Sequence, residues 1–235
     1  PVLQKDGGAI YYINLSNDSY KLGGSSFAQI LNKIGNEAPD VKDAAQFSIA
    51  FNTIQQLIKA GQIQAGHDIG SGGLITTLLE MCFADRDLGA SLDLSSLAEQ
   101  DIIKLLFAEN IGIVFQANAA VESVLAEAGV AYHKIGSVTS SATLEVKNNN
   151  DSFNFDIDHL RDVWFKTSYL LDERQTGNGL AKERYANYKN QVLKYNFPVQ
   201  FDGKKPVIDA TKPRPKAAII REKGSNSERE LANAM

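Results

Sequence analysis

A His-Asp pair followed by a glycine-rich turn is the part of this sequence whose residue types could do chemistry. The stretch runs from Ala65 to Ile75 and reads AGHDIGSGGLI. Apolar residues precede it and an amphipathic run begins at Leu74, so the pattern predicts a strand, a tight turn and the start of a helix. Backbone N–H groups and the positive end of a helix dipole can hold a phosphate at such a place.

The carboxylate of Asp68 adds a second chemistry to this turn. Like charges repel, so Asp68 would meet a phosphate only through a divalent cation, and Mg²⁺ prefers hard oxygen ligands. The turn therefore indicates a nucleotide together with a metal. Two simpler interpretations stay open: the glycines only make a tight turn, and His67 is a hydrogen-bonded structural residue. The spacing fits neither the Walker pattern nor the dinucleotide-binding fingerprint.

Composition sets the limits within which such a site would work. The chain has 235 residues, of which 43% are hydrophobic and 22% charged, enough for one large domain or one domain with appendages. A net charge of −4 gives non-specific nucleic-acid binding no electrostatic footprint, and no apolar stretch reaches membrane-spanning length. The one cysteine, Cys82, lies in an apolar helical run, which indicates a core residue and a reducing cytoplasm. Because the chain begins at Pro1 without a signal peptide, we expect it to be a piece of a longer protein.

Strands and helices are interleaved over residues 1–157, which predicts an α+β domain with a mixed sheet flanked by helices. Strands are expected at Ala9–Leu15, at His67-Asp68, and at Ala90–Leu94, Ile111–Phe115, Val130–Ile135, Ala142–Val146 and Ser152–Phe155. Helices are expected from an N-cap at Ser25 to about Ile34, from an N-cap at Asp43 to Gly61, and at Leu74–Phe83, Leu97–Phe107 and Ala119–Ala128.

The character of the sequence changes after residue 157. Helices are expected at His159–Asp172 and from Leu180 to about Tyr195, followed by a proline-rich linker that ends near residue 215. A buried type of strand is then predicted at Ala217–Ile220, and a helix that begins with Ser227 and Glu230 as a capping box. A strand and half a helix cannot bury a core, so residues 216–235 are expected to begin a further, truncated domain.

Short segments spread along the whole chain resemble one family when they are taken in order. The first are Leu22–Ser25 (LGGS), Ala28-Gln29, Glu37–Asp40 (EAPD), Ala65–Asp68 (AGHD), Gly72–Leu74 (GGL) and Thr77–Met81 (TLLEM). The later ones are Ile135–Val138 (IGSV), Trp164–Tyr169 (WFKTSY), Pro213–Lys216 (PRPK), Ile219–Glu222 (IIRE) and Gly224–Asn226 (GSN). Together they resemble phosphoribosylformylglycinamidine synthase of the large, single-chain type.

The resemblance implies a glutamine-dependent carbon–nitrogen ligase of purine biosynthesis. Such an enzyme converts formylglycinamide ribonucleotide, ATP and glutamine to formylglycinamidine ribonucleotide, ADP, phosphate and glutamate. Residues 1–157 would form a domain resembling the C-terminal domain of aminoimidazole ribonucleotide synthase, in the second synthase half. Residues 158–215 would be a helical connector and linker, and residues 216–235 the start of a class I glutamine amidotransferase domain.

The resemblance also implies a role for particular residues. Asp68 matches a Mg²⁺ ligand of an auxiliary ATP/ADP site that is shared with the preceding domain. Gly70 stands where the family usually has a nucleotide-contacting Ser, and Ser71 where it usually has Asp, so a backbone N–H of Gly70 would replace part of that contact. No catalytic residue is expected, because the glutaminase nucleophile would lie beyond Met235 and is not Cys82. We expect the chain alone to be inactive.

The partners implied are the preceding synthase domains and the following glutaminase domain of the same polypeptide, with a nucleotide but no nucleic acid and no membrane. Two alternatives stay open. The chain could be a non-catalytic structural domain, or a different member of the same ATP-dependent synthase superfamily, such as a kinase or a selenophosphate synthetase relative. The linker and the glutaminase-like start argue against the second alternative, since those relatives lack a fused amidotransferase.

Overall fold

The structure is a computed structural model that describes residues 2–190, 195–203, 209, 211–213 and 216–235. It divides into two compact units, Pro1–Gln191 and Val192–Met235. Among the described residues, no helix is both long and apolar enough to cross a membrane.

The first unit is built on one mixed sheet of seven strands, as the sequence predicts. The strands are β1 Ala9–Asn14, β2 Ile63–Asp68, β3 Gly89–Asp93, β4 Gly112–Ala117, β5 His133–Thr139, β6 Thr143–Asn148 and β7 Asp151–Asp156. They lie in the order β2-β4-β1-β5-β3-β6-β7. Every neighbouring pair is antiparallel except β3 and β6, which are parallel.

Helices cover both faces of this sheet. They are α1 Ser26–Ile30, α2 Ala44–Lys59, α3 Gly73–Phe83, α4 Ile102–Phe107, α5 Ala120–Glu127, α6 Ile157–Gln175 and α7 Leu180–Asn187. Side chains of a strand alternate between faces, and in β1 Ile10 and Tyr12 join the core under α3 and α4. Tyr11 and Ile13 join the core under α2 and α5. All four are buried, so this interior strand has no solvent face.

Two predicted helix starts are confirmed by their capping bonds. The Ser25 hydroxyl accepts from the Ala28 N–H at 3.2 Å and begins α1. The Asp43 carboxylate accepts from the N–H groups of Ala45 and Gln46, at 3.0 and 2.9 Å, and begins α2. Each bond satisfies a donor that the first helical turn leaves without a partner.

Three predicted boundaries are wrong. The expected strand Val130–Ile135 lies further along as β5, because pairing with β1 sets its register. The expected helix Leu97–Phe107 begins only at Ile102, since the Asp101 carboxylate accepts from N–H groups of the first turn. The first helix ends at Ile30 and not near Ile34, because Asn32 takes a left-handed conformation.

The helix α6 packs against the sheet unit through a buried arginine. The Arg161 Nε donates to the Phe83 carbonyl at 2.9 Å and Nη2 donates to the Asp85 carbonyl at 3.1 Å. The same guanidinium contacts Asp158, and the ring of Trp164 meets that of Phe83 edge-on. These bonds satisfy carbonyls at the end of α3, which no helical N–H can reach.

The last part of the chain differs from the prediction. Residues 217–220 form no strand, and Ile220 is 91% exposed. A final helix, α8, spans Glu228–Ala234, but the Ser227 side chain makes no capping bond to it, so the capping box with Glu230 is wrong. Ser227 itself is left-handed, which turns its side chain away from the capping geometry. The predicted helix from Leu180 ends at Asn187, and residues 191–194 of it lie outside the described part.

Candidate functional site

The predicted strand, turn and helix around Asp68 are confirmed. Strand β2 is at the edge of the sheet and pairs with β4, with Asp68 opposite Ile113. The Ile69 N–H donates to the Gly112 carbonyl at 2.9 Å, which holds the chain to the sheet for one more residue. The turn then leads directly into α3, which begins at Gly73.

Glycine is required at two positions of this turn. Gly72 and Gly73 have φ angles of +89° and +73°, which residues with a side chain rarely adopt. A Cβ at Gly72 would lie 2.3 Å from the Thr76 hydroxyl oxygen, and one at Gly73 would lie 2.7 Å from the Leu106 carbonyl oxygen. The turn is therefore fixed in shape by close packing as well as by the backbone.

The Asp68 carboxylate points to solvent at the end of β2. Its side chain is 86% exposed. Its backbone carbonyl accepts from the Thr77 hydroxyl at 3.1 Å, which ties Asp68 to the first turns of α3. The carboxylate is thus held in place through its backbone while its oxygens stay accessible to a cation. In the described part of the chain, no group of three or more His, Cys, Asp or Glu residues could hold a metal ion.

His67 links β2 to α3, as its structural interpretation predicts. Its Nδ1 lies 2.7 Å from the Asp68 carbonyl oxygen, and its Nε2 lies 3.3 Å from a carboxylate oxygen of Glu80. The ring is thus held on both sides by groups of the protein.

Gly70 lies at the open side of the turn. A Cβ there would meet no atom within 4 Å, and its carbonyl accepts from the Gly73 N–H at 3.1 Å. Ser71, the next residue, is exposed. This side of the turn has room for a ligand.

Glu109 belongs to this site and was missed by the sequence analysis. Its Oε1 accepts from the Gly72 N–H and from the Ser26 N–H, each at 2.8 Å. Partial burial raises the pKa of the carboxyl, but the hydrogen bonds from Gly72 and Ser26 outweigh it and hold the pKa below its ordinary value of 4.5. No local pattern marks Glu109, because its two partners are distant in sequence.

Glu109 also bears on a simpler alternative to a metal-binding Asp68, in which its carboxylate only caps the turn. If Asp68 only capped the helix, its carboxylate would accept from the N–H of Gly72 or Gly73. Those groups donate instead to Glu109 and to the Gly70 carbonyl. The capping interpretation of Asp68 is therefore wrong, and these two N–H groups are not available to a phosphate.

An apolar groove opens beside the same strand. It lies between α2 and β2, has a volume of about 560 Å³ and reaches His67 and Asp68 at one end. Phe51 and Ile58 of α2 line it and are about half exposed. A ligand bound at Asp68 would have an apolar surface next to it.

Cys82 is a core residue, as predicted. It is 1% exposed and packs in the core under α3. Burial raises the pKa of its thiol to about 12, against a smaller lowering by the nearby Arg161 charge. Since the thiolate is the nucleophilic form, this cysteine is unsuited to covalent catalysis.

Comparison with known proteins gives the family of the first unit. Residues 5–148 match the family described as AIR synthase related protein, C-terminal domain. The matched residues include Asp68, Gly70 and Glu109, and reach from the approach to β1 to the end of β6.

A curated relative extends the similarity over almost the whole chain. The chain is 34% identical, over 97% of its length, to a protein of Arabidopsis thaliana named probable phosphoribosylformylglycinamidine synthase, chloroplastic/mitochondrial. The chain spans only 17% of that relative's length.

Solved structures share the fold. The Thermotoga maritima structure of PurLQS has a TM-score of 0.53, and T. maritima PurL complexed with ATP has a TM-score of 0.51. Both are 15% identical to this chain, and each alignment covers 68% of it. The alignments cover 27% of the PurLQS chain and 26% of the PurL chain. The predicted α+β fold, with a mixed sheet between helices, is confirmed. The chain belongs to the family of AIR synthase related proteins and carries their C-terminal domain.

Proposed function

We propose that the chain is part of a phosphoribosylformylglycinamidine synthase, a ligase of purine biosynthesis. The observation that carries the proposal is the 34% identity to the A. thaliana relative, because it extends over 97% of this chain and not only over the family domain. The reaction would join the amide nitrogen of glutamine to formylglycinamide ribonucleotide, with ATP converted to ADP and phosphate.

Within such an enzyme, the chain would contribute to an auxiliary ATP/ADP site that contains Mg²⁺. Asp68 would supply one oxygen ligand to the metal, and the backbone of Gly70 would face the nucleotide. The exposed Asp68 carboxylate and the open side of the turn at Gly70 support these roles. One carboxylate rarely binds Mg²⁺ tightly, so the other ligands would come from the preceding domain and from phosphate oxygens.

The partners of the chain would be other parts of the same polypeptide. We propose that residues 1–157 are the C-terminal domain of the second synthase half, residues 158–215 a helical connector with a linker, and residues 216–235 the start of a class I glutamine amidotransferase domain. The length of the relative, of which the chain spans 17%, is consistent with this arrangement. A reducing compartment suits the buried, unpaired Cys82, and we propose the cytoplasm.

The chain alone would be inactive in this proposal. The amidotransferase nucleophile would lie outside it, and the buried Cys82 thiol cannot take that role. The purified chain should therefore hydrolyse no glutamine above background. Hydrolysis that disappears in Cys82→Ala would contradict this.

The function is tested with the full-length protein. It is incubated with formylglycinamide ribonucleotide, Mg²⁺-ATP and glutamine, and formylglycinamidine ribonucleotide and glutamate are measured together. We expect the two products in equal amounts. A control without the ribonucleotide should form no amidine, and only as much glutamate as basal glutamine hydrolysis releases. If ATP is consumed but no amidine forms with any nitrogen source, the protein is another member of the superfamily.

A second candidate, a non-catalytic structural domain, has one observation in its favour. The Gly72 N–H, at the start of α3, donates to Glu109 and so is closed to a phosphate. If Asp68→Asn leaves both the activity and the nucleotide content of the full-length protein unchanged, the domain is structural and the reaction occurs elsewhere in the polypeptide.

A further inference from the structure

We infer that Glu109 is a positioning residue, which ties the turn at residues 69–72 to the loop at residues 22–26 and so sets where Asp68 and Gly70 lie. The positioning of the turn follows from the contacts alone, and only its effect on nucleotide binding rests on the proposed function.

One oxygen of Glu109 makes both bonds. The Oε1 atom accepts from Ser26, the first residue of α1, and from Gly72, the residue before α3. Hydrogen bonds to a charged acceptor are stronger than those between neutral groups. The carboxylate therefore joins two glycine-rich segments that are far apart in sequence and have no strand pairing between them.

The backbone around Glu109 is itself held firmly. The buried amide of Asn110 donates from Nδ2 to the Ser16 hydroxyl at 3.0 Å and to the Ser19 carbonyl at 3.1 Å. On the other side, the Phe107 ring stacks on Phe27 of α1, with ring centroids 4.7 Å apart. Because the backbone is anchored on both sides, at Phe107 and at Asn110, the Glu109 side chain starts from a defined place and can hold the turn there.

The link from Gly72 to the proposed ligands is short. Asp68 and Gly70 lie four and two residues before Gly72, and Thr77 in α3 donates to the Asp68 carbonyl. The backbone of Gly73 packs directly against the end of α4, so the start of α3 cannot shift to replace the lost hydrogen bond. Loss of the Glu109 bond should therefore change the conformation of the turn while α3 stays in place.

Three substitutions at this position separate the hydrogen bond from the charge and from simple stability. Glu109→Gln keeps an oxygen where Oε1 lies, so it can accept from both N–H groups. Glu109→Asp keeps the charge but is one methylene shorter, so it cannot reach both. Glu109→Ala removes the acceptor. The matched control is Glu122→Ala, which removes another carboxylate that joins two elements, by accepting from the Tyr11 hydroxyl on the opposite face of the sheet.

The first measurement is amide hydrogen exchange of Ser26 and Gly72 in the 235-residue chain, followed by NMR. In Glu109→Ala we expect both amides to exchange faster by roughly tenfold or more, and in Glu109→Asp at least one of them, as loss of a charged hydrogen bond implies. Glu109→Gln should stay within about threefold of the unsubstituted chain, and Glu122→Ala should leave both amides unchanged. Unchanged exchange in Glu109→Ala would overturn the inference, and Glu109→Asp keeps it testable should the alanine variant fail to fold.

The second measurement is the affinity of the full-length protein for Mg²⁺-ADP. Glu109→Ala should weaken this affinity by roughly tenfold, and Glu109→Gln should keep most of it. If Glu109 were only structural, the affinity of each variant would instead follow its free energy of unfolding. Wild-type affinity in Glu109→Ala, beside weakened affinity in Asp68→Asn, would overturn the positioning role and leave the proposed function standing. Absence of binding by the unsubstituted protein would overturn the proposed auxiliary site, and the exchange measurement would still decide the role of Glu109.

Discussion

At the scale of single residues, three acidic or nucleophilic side chains of the α3 region have different environments and therefore different roles. Asp68 is exposed at the end of an edge strand. Glu109 is half-buried between two loops and accepts two backbone hydrogen bonds. Cys82 is enclosed in the core. Their responses to substitution, acid and reagents should differ accordingly.

The exposed Asp68 carboxylate should matter only where other ligands complete its site. In the 235-residue chain, Asp68→Asn should change the free energy of unfolding by less than about 0.5 kcal/mol, as for other surface substitutions. In the full-length protein it should release co-purifying nucleotide and lower the melting temperature, because a ligand at a hundred times its Kd stabilises the folded state by about 2.7 kcal/mol. Thermal unfolding and the nucleotide content of the purified protein measure both effects.

The control for this prediction is Asp151→Asn, which changes an exposed aspartate of β7. It should leave both quantities unchanged. A full-length Asp68→Asn protein that keeps stoichiometric nucleotide and its melting temperature would remove Asp68 from the site.

The Cys82 thiol should be inert while the chain is folded. Its raised pKa keeps it protonated at pH 8, and its burial keeps reagents out. A colourimetric thiol reagent should therefore label less than one thiol per chain over minutes in buffer and one thiol per chain in denaturant. Rapid labelling of the folded chain would mean that the core around α3 opens readily.

Glu109 should make the chain sensitive to acid. Its pKa in the folded chain lies below the ordinary value of 4.5, so the unfolded state binds this proton more tightly. The stability that it contributes is present above about pH 4.5 and is lost as the pH falls through the lowered pKa. In denaturant titrations the unsubstituted chain should be more stable than Glu109→Gln at pH 7, and the difference should shrink below pH 4.5. A difference that grows on acidification would contradict the assignment.

At the scale of elements, two helix starts show which predicted N-cap residues make a capping hydrogen bond. Asp43 accepts from two N–H groups of α2, the helix that covers one face of the sheet. Ser227 has an equally suitable residue type but makes no capping bond to α8. The difference lies in the backbone, since Asp43 is extended and Ser227 is left-handed.

Substitution of the two capping positions should therefore give different results. Asp43→Ala should lower the free energy of unfolding by about 1 kcal/mol, which is typical for loss of an N-cap side chain. Ser227→Ala should have no measurable effect. Urea titrations of both variants test this, and equal destabilisation by the two would mean that α8 is capped by Ser227 in solution.

At the scale of the whole molecule, stability should differ strongly between the two compact units. Strand β4 lies between β1 and β2 and is largely buried, so its amides should exchange only on global unfolding. Residues 217–220 form no strand, and those that follow up to α8 are exposed. Their amides should exchange at close to the rate of an unfolded peptide.

Hydrogen exchange of the 235-residue chain, with its monomeric state established by sedimentation, measures this contrast. Protection at residues 217–220 equal to that of β4, in a monomer, would show that they are paired. If protection appears only at high concentration, the segment pairs with a second molecule through an open strand edge.

Much of the fold could be predicted because its signals are local. Apolar periodicity gave α2, with its cap at Asp43, and α3 almost to the residue, and runs of β-branched, aromatic and apolar residues gave β1 and β4. The strand, turn and helix at Asp68 were predicted because glycine, strand and helix patterns follow each other directly. Cys82 could be assigned to the core because it lies in a mostly apolar helical run.

Only the tertiary structure decided the remaining features, since they depend on partners distant in sequence. The register of β5 follows from its pairing with β1, and the role of Glu109 from the two loops that it connects. The residues at 217–220 have the composition of a buried strand, but a strand exists only where a neighbour satisfies its N–H and C=O groups. The sequence by itself determined which segments can form strands, turns and helices, and the three-dimensional contacts determined which of them meet at the site.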